Sequence, residues 1–406
     1  MENWQTELIG NLMEVTSVKR VHESDWTKNG VPFYRAREIV ALHNKEKITP
    51  LHISEKLYQE YTKISGIIKE NDLLVTGVGT IGVPYLVKNN DRFYFKDGNI
   101  IWLKNNNKIH GKFLFYMFDS KYVQNQIFST SGKGTVGTYT IGSAKNTSIM
   151  FPVNMKEQKV IADVLSNIDN LIDAIQNLIE KKEKIKNEVT NELMSGKNRL
   201  HGYKDEFITT NLYKNGFTFN GLSGLNSSNF GSGDKKYITF LNILRNPILK
   251  CDKFEKVKFD NVQNNVKKGD LFFNTSSETP EEVAMCSTLD KDVDNLYLNS
   301  FCFGYRLTNK NINNIFLSYY FRSAIGRNII KNIAQGSTRF NLPKKQFLNY
   351  EISIPNSYKE QEEIANLLIN MDNEINILKE KLEKYNQIKK GAMEDLLTGK
   401  VKLNYE

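Results

Sequence analysis

The sequence predicts a mixed α/β protein in which two similar α/β domains are separated by a pair of long antiparallel coiled-coil helices, with an internal pseudo-twofold repeat. Three observations predict this fold class: a duplication of the chain, two matched helical segments with a heptad pattern, and a positive charge that lies outside those helices. The 406 residues suffice for two or three domains, and 40 % hydrophobic with 25 % charged residues is a globular composition.

The duplication consists of two segments that begin with KEQ, at Lys156 and at Lys359, and align without a gap at an offset of 203 residues. Upstream, FLFYMFDS (113–120) matches FLSYYFRS (316–323) at the same offset, and NDLLVT matches GDLFFN at an offset of 198. A repeat of this kind indicates two copies of one structural unit. The predicted order is domain, helix, domain, helix, with boundaries at 1–155, 156–202, 203–358 and 359–406.

Each KEQ segment predicts a long helix, because its apolar residues recur in steps of four and three as in a coiled coil. The first seam contains Ile161, Leu165, Ile168, Ile172, Ile175 and Ile179, and the second contains Ile364, Leu368, Met371, Ile375, Leu378 and Leu382. Gly196 and Gly399 near the ends are typical C-terminal helix signals. Two matched seams favour antiparallel pairing with each other. A further stripe, Leu171, Leu178 and Ile185, fits either a domain core or a partner surface.

The net charge of +9 is concentrated in the two predicted domains. Counting Lys and Arg against Asp and Glu, residues 1–155 carry +5 and residues 203–358 carry +6, whereas the helical segments carry 0 and −2. Binding to nucleic acid through counterion release needs Lys and Arg on the contacting face. The charge therefore favours a polyanion partner for both domains, and an ordinary solvated surface is the alternative.

Motifs for catalysis, metals or cofactors are weak in this sequence. GVGTIG (77–82) fits the dinucleotide pattern G-x-G-x-x-G, but residues 83–85 continue as a strand where that pattern needs a helix, so we predict a turn between two strands. The three Cys and five His show no metal-ligand spacing. Without an apolar run of membrane length or a visible export signal, we expect a cytoplasmic chain with no membrane, cofactor or catalytic residue.

Within the domains, branched and aromatic residues predict strands over GVPFYRAREIV (30–40) and KKYITFLNIL (235–244). KFLFYMFDSKYVQNQIF (112–128) is predicted to be helical. Loops rich in Gly, Ser, Thr, Asn and Lys join these elements, and such side chains can bond to base edges and phosphates.

The order and duplication of these motifs resemble the specificity subunit of Type I restriction–modification systems, over essentially the whole chain. The resemblance rests on the helices that end in LMSGK (193–197) and LLTGK (396–400), on GDLFFNTSS (269–277), and on AQGSTRFNLPKK (334–345). It implies two target recognition domains, each of which reads one half of a bipartite asymmetric DNA target. It also implies two conserved helical regions that set the spacer between the halves.

The same resemblance implies a non-catalytic subunit that binds double-stranded DNA and carries no cofactor. Two modification subunits, which bind S-adenosylmethionine and methylate adenine, would dock on it. Two restriction subunits would add ATP- and Mg-dependent cleavage. The alternatives are a two-module protein-interaction scaffold without a DNA role and a complete methyltransferase or nucleotide-binding enzyme.

The candidate DNA contacts are polar residues of the domains, chosen because Arg can hold guanine in a fork, Asn can pair with adenine, and Lys can hold phosphate. In the first domain they are Arg35, Arg37, Thr76, Thr80, Lys133 and Thr135. In the second domain they are Lys235, Lys236, Asn242, Asn274, Thr275, Ser276, Ser277, Ser337, Thr338 and Arg339. For each of them, an ordinary surface or turn residue is the alternative.

Overall fold

The computed structural model describes residues 3–130 and 137–403, and the chain divides into two compact units. The first unit contains residues 1–176 and 380–406, and the second contains residues 177–379. Each unit therefore holds one predicted domain together with a segment of both long helices. The boundaries of the compact units fall inside the two long helices, so they differ from the boundaries of the four predicted segments. The four segments stay a prediction from the sequence.

The first half of the chain alternates short strands with short helices and ends in a long helix. Its strands are β1 (Trp4–Leu8), β2 (Glu14–Thr16), β3 (Trp26–Thr27), β4 (Val31–Tyr34), β5 (Leu51–Ile53), β6 (Leu73–Thr76), β7 (Pro84–Leu86), β8 (Tyr94–Phe95), β9 (Ile100–Lys104) and β10 (Ser148–Pro152). Its helices are α1 (Ile9–Leu12), α2 (Ala36–His43), α3 (Glu55–Ser65), α4 (Gly111–Asp119), α5 (Lys121–Thr130), α6 (Ile141–Lys145) and α7 (Met155–Ser195).

The second half repeats this order. Its strands are β11 (Phe207–Thr210), β12 (Gly216–Asn220), β13 (Phe230–Ile238), β14 (Glu255–Val257), β15 (Leu271–Asn274), β16 (Ser276–Ser277), β17 (Cys286–Thr288), β18 (Leu296–Leu298), β19 (Cys302–Leu307), β20 (Phe340–Asn341) and β21 (Ile352–Pro355). Its helices are α8 (Leu212–Asn215), α9 (Phe240–Arg245), α10 (Asn314–Arg322), α11 (Ala324–Ile333), α12 (Lys344–Asn349) and α13 (Tyr358–Leu396).

The sheets of the two units correspond. An antiparallel four-stranded sheet has the order β2-β9-β6-β7 in the first unit and β12-β19-β15-β17 in the second. A second sheet contains one parallel pair in each unit, β4 with β8 and β13 with β18, and the pair β1–β10 corresponds to β11–β21. The two halves therefore share one topology, and the predicted internal repeat is confirmed.

The two long helices contain 41 and 39 residues, which corresponds to about 60 Å each at 1.5 Å per residue. In the second unit they run antiparallel, because Lys182 meets Glu374 at 2.6 Å and Lys186, one turn later, meets Asp372. In the first unit, Asp169 pairs with Lys389 at 2.8 Å, and Leu396 and Leu397 of α13 and the turn after it pack in one core with Ile161 and Leu165. The predicted fold class is confirmed.

The predicted seam residues are all buried or half-buried. The three residues of the further stripe, Leu171, Leu178 and Ile185, are exposed, so the structure does not place them in a domain core. Gly196 directly follows α7 and Gly399 lies three residues beyond α13, both with φ of +70°. A positive φ there is the usual way for a glycine to end a helix.

The glutamine of each KEQ motif is buried at the start of its long helix. Gln158 accepts a hydrogen bond from the Nα of His110 and donates one to the carbonyl of Pro152. Gln361 makes the same pair of bonds with Asn313 and Pro355. The two glutamines therefore have the same structural role: each ties a long helix to the end of a strand and to the start of α4 or α10.

Two predicted strands, over residues 30–40 and 235–244, are confirmed in their first part by β4 and β13 and are wrong in their second part. Residues 36–43 and 240–245 form the helices α2 and α9, which follow β4 and β13 after one residue each. In the first copy Glu38 accepts the backbone N–H of Arg35 at 2.9 Å, and in the second the Thr239 hydroxyl accepts the N–H of Asn242 at 3.2 Å. These capping bonds stabilise the first turn of a helix and outweigh the strand propensity of the aromatic residues. The predicted turn at 77–82 between β6 and β7 is confirmed.

Candidate nucleic-acid interface

Two polar loops of the second unit that are far apart in sequence lie side by side. We call residues 275–285, between β15 and β17, loop B. Its strand β16 pairs with β20, so that Ser276 is opposite Asn341, and the N–H of Leu342 donates to the carbonyl of Thr275 at 3.0 Å. The Nε of Arg339 donates to the Ser276 hydroxyl at 3.1 Å. The structure thus brings together the candidate residues of the NTSS and GSTR stretches.

These loops surround a cleft of about 400 Å³ in the second unit. Its lining residues are Phe240, Ser276, Ser277, Glu278, Glu282, Phe301 and Arg339. Phe301 is 58 % exposed and Arg339 lies on the surface, as do Ser337 and Thr338 beside it. A guanidinium, carboxylates, hydroxyls and an exposed ring are the groups that recognise guanine, cytosine, phosphate and thymine methyl groups, respectively.

Four of the lining residues were not predicted from the sequence: Phe240, Glu278, Glu282 and Phe301. Phe301 directly precedes β19, which begins at Cys302, and it is exposed. The sequence gives no sign that Phe301 is exposed, because phenylalanine side chains are usually buried. Glu282 is negatively charged in a domain of net positive charge. It was therefore not chosen as a candidate DNA contact, since those were sought among cationic and neutral polar residues.

The candidates at the ends of β6 and β15 are buried, and we correct their role. Asn274 is 0 % exposed; its amide donates to the carbonyl of Glu282 at 2.9 Å and accepts from the N–H of Met285 at 2.7 Å. These bonds use its hydrogen-bonding groups within loop B, so its side chain cannot reach a base. It shapes the loop instead.

Thr76 has the same role in the first unit, where we call residues 77–83 loop A. It is buried, its hydroxyl donates to the carbonyl of Thr80 at 2.5 Å, and it accepts from the N–H of Val83 at 2.9 Å. Val83 and Met285 each directly precede the next strand of the sheet. The last residue of the strand therefore closes the following loop in both units.

Three further candidates of the second unit, Asn242, Ser276 and Thr275, form hydrogen bonds within the protein. Asn242 is buried in α9, and its amide bonds to both the N–H and the carbonyl of Lys250, which excludes it from a contact surface. Ser276 is buried, and its hydroxyl accepts the hydrogen bond from Nε of Arg339. The hydroxyl of Thr275 donates to the carbonyl of Phe301 at 2.9 Å, whereas Ser277 is half-exposed.

The candidate lysines lie on β13. Lys235 is half-buried, with its ammonium bonded to the carbonyl of Phe259 and 4.3 Å from the centroid of that ring. Lys236 is exposed and lies between β14 and β18 in the same sheet. Of these two lysines Lys236 is the more exposed, and an exposed ammonium group is suited to binding phosphate.

In the first unit, Arg35 and Arg37 converge on one carboxylate. Both donate to Glu38, at 2.8 and 2.7 Å, and Arg37 remains 67 % exposed while Arg35 is mostly covered. Burial would raise the pKa of the Glu38 carboxyl, but the hydrogen bonds from the two arginines outweigh it, and the pKa is lowered. Glu38 is therefore ionised at neutral pH and fixes both guanidinium groups.

Loop A presents Thr80 at the surface. The N–H of Tyr139 donates to the carbonyl of Gly77 at 2.8 Å, at the position where Leu342 bonds to Thr275 in the second unit. The segment before α6 therefore approaches loop A as the segment before α12 approaches loop B. The candidates Lys133 and Thr135 lie outside the described residues.

Other kinds of site are not supported by residues 3–130 and 137–403. Within them, no three His, Cys, Asp or Glu side chains are grouped as metal ligands would be. Within the same ranges, no helix is both long and apolar enough to cross a membrane. The features that the two units share are polar loops at one end of the four-stranded sheet.

Comparison with known proteins agrees with this arrangement. A chain of Methanocaldococcus jannaschii named as the specificity subunit of the type I restriction enzyme MjaX is 25 % identical over 99 % of this chain and 94 % of its own length. The crystal structure of a Type I restriction–modification S subunit from M. genitalium superimposes with a TM-score of 0.59 at 16 % identity, over 100 % of this chain and 97 % of that one. The HsdS subunit from Thermoanaerobacter tengcongensis gives 0.50 at 14 % identity, over 99 % and 98 %.

The family described as "Type I restriction modification DNA specificity domain" matches this chain twice, over residues 1–190 and 187–390. The two matches together cover most of the chain, and each contains one polar loop pair and most of one long helix. The duplication, the paired helices and the matching loops are thus properties of one family, and this chain belongs to the Type I restriction modification DNA specificity domain family.

Proposed function

We propose that this chain is the sequence-specific DNA-binding subunit of a Type I restriction–modification complex. Each unit reads one half of a bipartite asymmetric target, and the antiparallel helices set the spacer between the halves. The observation that carries this proposal is that both units place a polar loop pair at the same end of the same sheet, with different side chains on a shared frame. Two readers with one frame and different contacts suit two different half-sites.

The chain acts as a non-catalytic subunit in the cytoplasm, where its DNA is. Two modification subunits supply S-adenosylmethionine and the adenine methylation, and two restriction subunits add ATP- and Mg-dependent cleavage. The exposed apolar residues Leu178 and Ile185 of α7 support docking of the modification subunits on the helices, because exposed apolar side chains at heptad spacing suit another helix.

The DNA contacts that we propose are the exposed candidates, with Arg339 foremost. Arg339 is exposed, and its Nε donates to the Ser276 hydroxyl at 3.1 Å, which holds the guanidinium at the cleft for contact with a base. Ser277, Thr338 and Lys236 would contact neighbouring bases or phosphates. In the first unit, Arg37 and Thr80 have the corresponding exposure.

Methylation-aware sequencing of the host genome, with and without the gene, tests the function. One split adenine-methylation motif should disappear when the gene is deleted. Replacing Arg339 with Ala should then relax one target position and weaken specific binding by about 1–3 kcal/mol, whereas Lys236→Ala, which removes an exposed cation that would hold phosphate, should weaken binding to all sequences alike. An unchanged methylome after deletion would contradict the proposal.

A further inference from the structure

One helix position holds a polar loop in both units. Gln124 is the fourth residue of α5 and Arg327 is the fourth residue of α11, and the two are separated by the repeat offset of 203 residues. Both side chains point their nitrogens at backbone carbonyls of the loop that follows β6 or β15. The residue types differ, but the place in the fold and the group that is held are the same.

In the first unit, Gln124 bonds to the end of loop A. Its Nε2 donates to the carbonyl of Gly82 at 2.8 Å and to that of Phe118 at 2.6 Å. Gly82 has a φ of +78°, and a Cβ at that position would lie 3.1 Å from Oε1 of Gln124. The amide is therefore packed tightly on the backbone of loop A and links it to α4.

In the second unit, Arg327 holds three successive parts of loop B. Its Nη2 donates to the carbonyls of Val283 at 2.6 Å and Pro280 at 3.3 Å, and its Nη1 donates to that of Ala284 at 3.3 Å. Burial lowers the pKa of this guanidinium to about 10, so it stays charged at neutral pH. The bonds of a charged donor are stronger than those of a neutral amide.

Loop B needs the stronger support. It contains eleven residues, whereas loop A contains seven, and its Ala284 has a φ of +52°. A left-handed conformation is unfavourable for alanine and persists only where the surroundings hold it. A guanidinium has five donor hydrogens and bonds here to three carbonyls of the loop, whereas an amide has only two donor hydrogens.

Several of the side chains that line the cleft belong to loop B, whose backbone Arg327 holds. Ser277 and Glu282 belong to loop B and line the same cleft as Arg339. We propose that Gln124 and Arg327 are positioning residues for sequence discrimination: each holds the reading loop of its own unit, so each governs one half of the DNA target. This inference rests on the proposed function, because it assigns the loops to the reading of bases.

The test uses the full chain assembled with its methylation partners, and DNA duplexes carrying the target found by methylation sequencing. Binding is measured for the cognate duplex, for duplexes with one changed base pair in either half, and for unrelated duplex. For Arg327→Met we expect discrimination to fall about tenfold in one half only, since one mismatch is normally worth roughly that much. Gln124→Met should do the same in the other half, and binding to unrelated duplex should not change.

Asn125→Ala and Asn328→Ala are the matched controls, because these exposed residues follow the two positions on the same helices. Arg327→Gln, which copies the first unit, should keep more discrimination than Arg327→Met. If Arg327→Met does not fold, the variants Arg327→Gln and Arg327→Lys test the inference in its place. Discrimination equal to that of the unmodified protein in both of these variants would overturn the inference. So would loss in the same half for both positions, or a proportional loss for every duplex. Absence of any preference in the unmodified protein would instead refute the proposed function.

Discussion

The buried glutamine of the first KEQ motif offers the sharpest test of how the fold is held together. Gln158 is 1 % exposed, and its amide satisfies the N–H of His110 at 2.8 Å and the carbonyl of Pro152 at 2.9 Å. In Gln158→Met the side chain keeps a similar length but loses both bonds. Two buried backbone groups then lack a partner, and each such group costs about 1–3 kcal/mol.

The free energy of unfolding should therefore fall by about 2–6 kcal/mol in Gln158→Met. All three tryptophans, Trp4, Trp26 and Trp102, lie in the first unit, so tryptophan fluorescence during urea denaturation reports on the unit that contains Gln158. The exposed neighbour Lys159 provides the control, and Lys159→Gln should shift the free energy by less than about 0.5 kcal/mol. A loss under about 1 kcal/mol in Gln158→Met would refute the reasoning.

Three further expectations concern other parts of the chain. Gly399→Ala should lower the stability of the first unit by about 1–2 kcal/mol in the same fluorescence assay, because alanine disfavours a φ of +70° and its Cβ would lie 2.9 Å from the Trp4 ring; wild-type stability would contradict it. Lys186→Met should cost about 1–2 kcal/mol by circular dichroism, less at high salt, since the half-buried Asp372 loses its cation; a stabilised variant would count against the ion pair. In the native protein at pH 8.5, iodoacetamide should label Cys251 alone, because burial raises the pKa of the other two thiols above this range, whereas urea should expose all three; three labels without urea would exclude the buried placement.

The repeat and the helix pair could be predicted because they depend on local patterns. A heptad spacing is visible in neighbouring residues, and two matched seams have few other ways to become buried. The same local reasoning failed at α2 and α9, where a capping hydrogen bond between residues three apart stabilises a helix in place of a strand. Aromatic and branched residues occur in both structures, and the hydrogen bonds of Glu38 and Thr239 decide between them.

The candidate interface could be predicted only as far as its loops. Its loops were identified from their Ser, Thr, Asn and Lys content, but composition cannot distinguish a side chain that faces DNA from one that closes its own loop. Asn274 and Ser277 stand three residues apart in one polar stretch, and the fold buries the first and exposes the second. The supporting residues Gln124 and Arg327 have no motif of their own.

From the sequence alone follow the duplication, the helical seams and the location of the positive charge, since each is a property of residues that are neighbours or of residue counts. The tertiary structure alone decides that Arg339 meets Ser276 across 63 residues of sequence, and that Lys186 meets Asp372 across 186. Contacts between distant segments depend on how strands pair and helices pack, and no local period specifies which polar side chain will find a partner there.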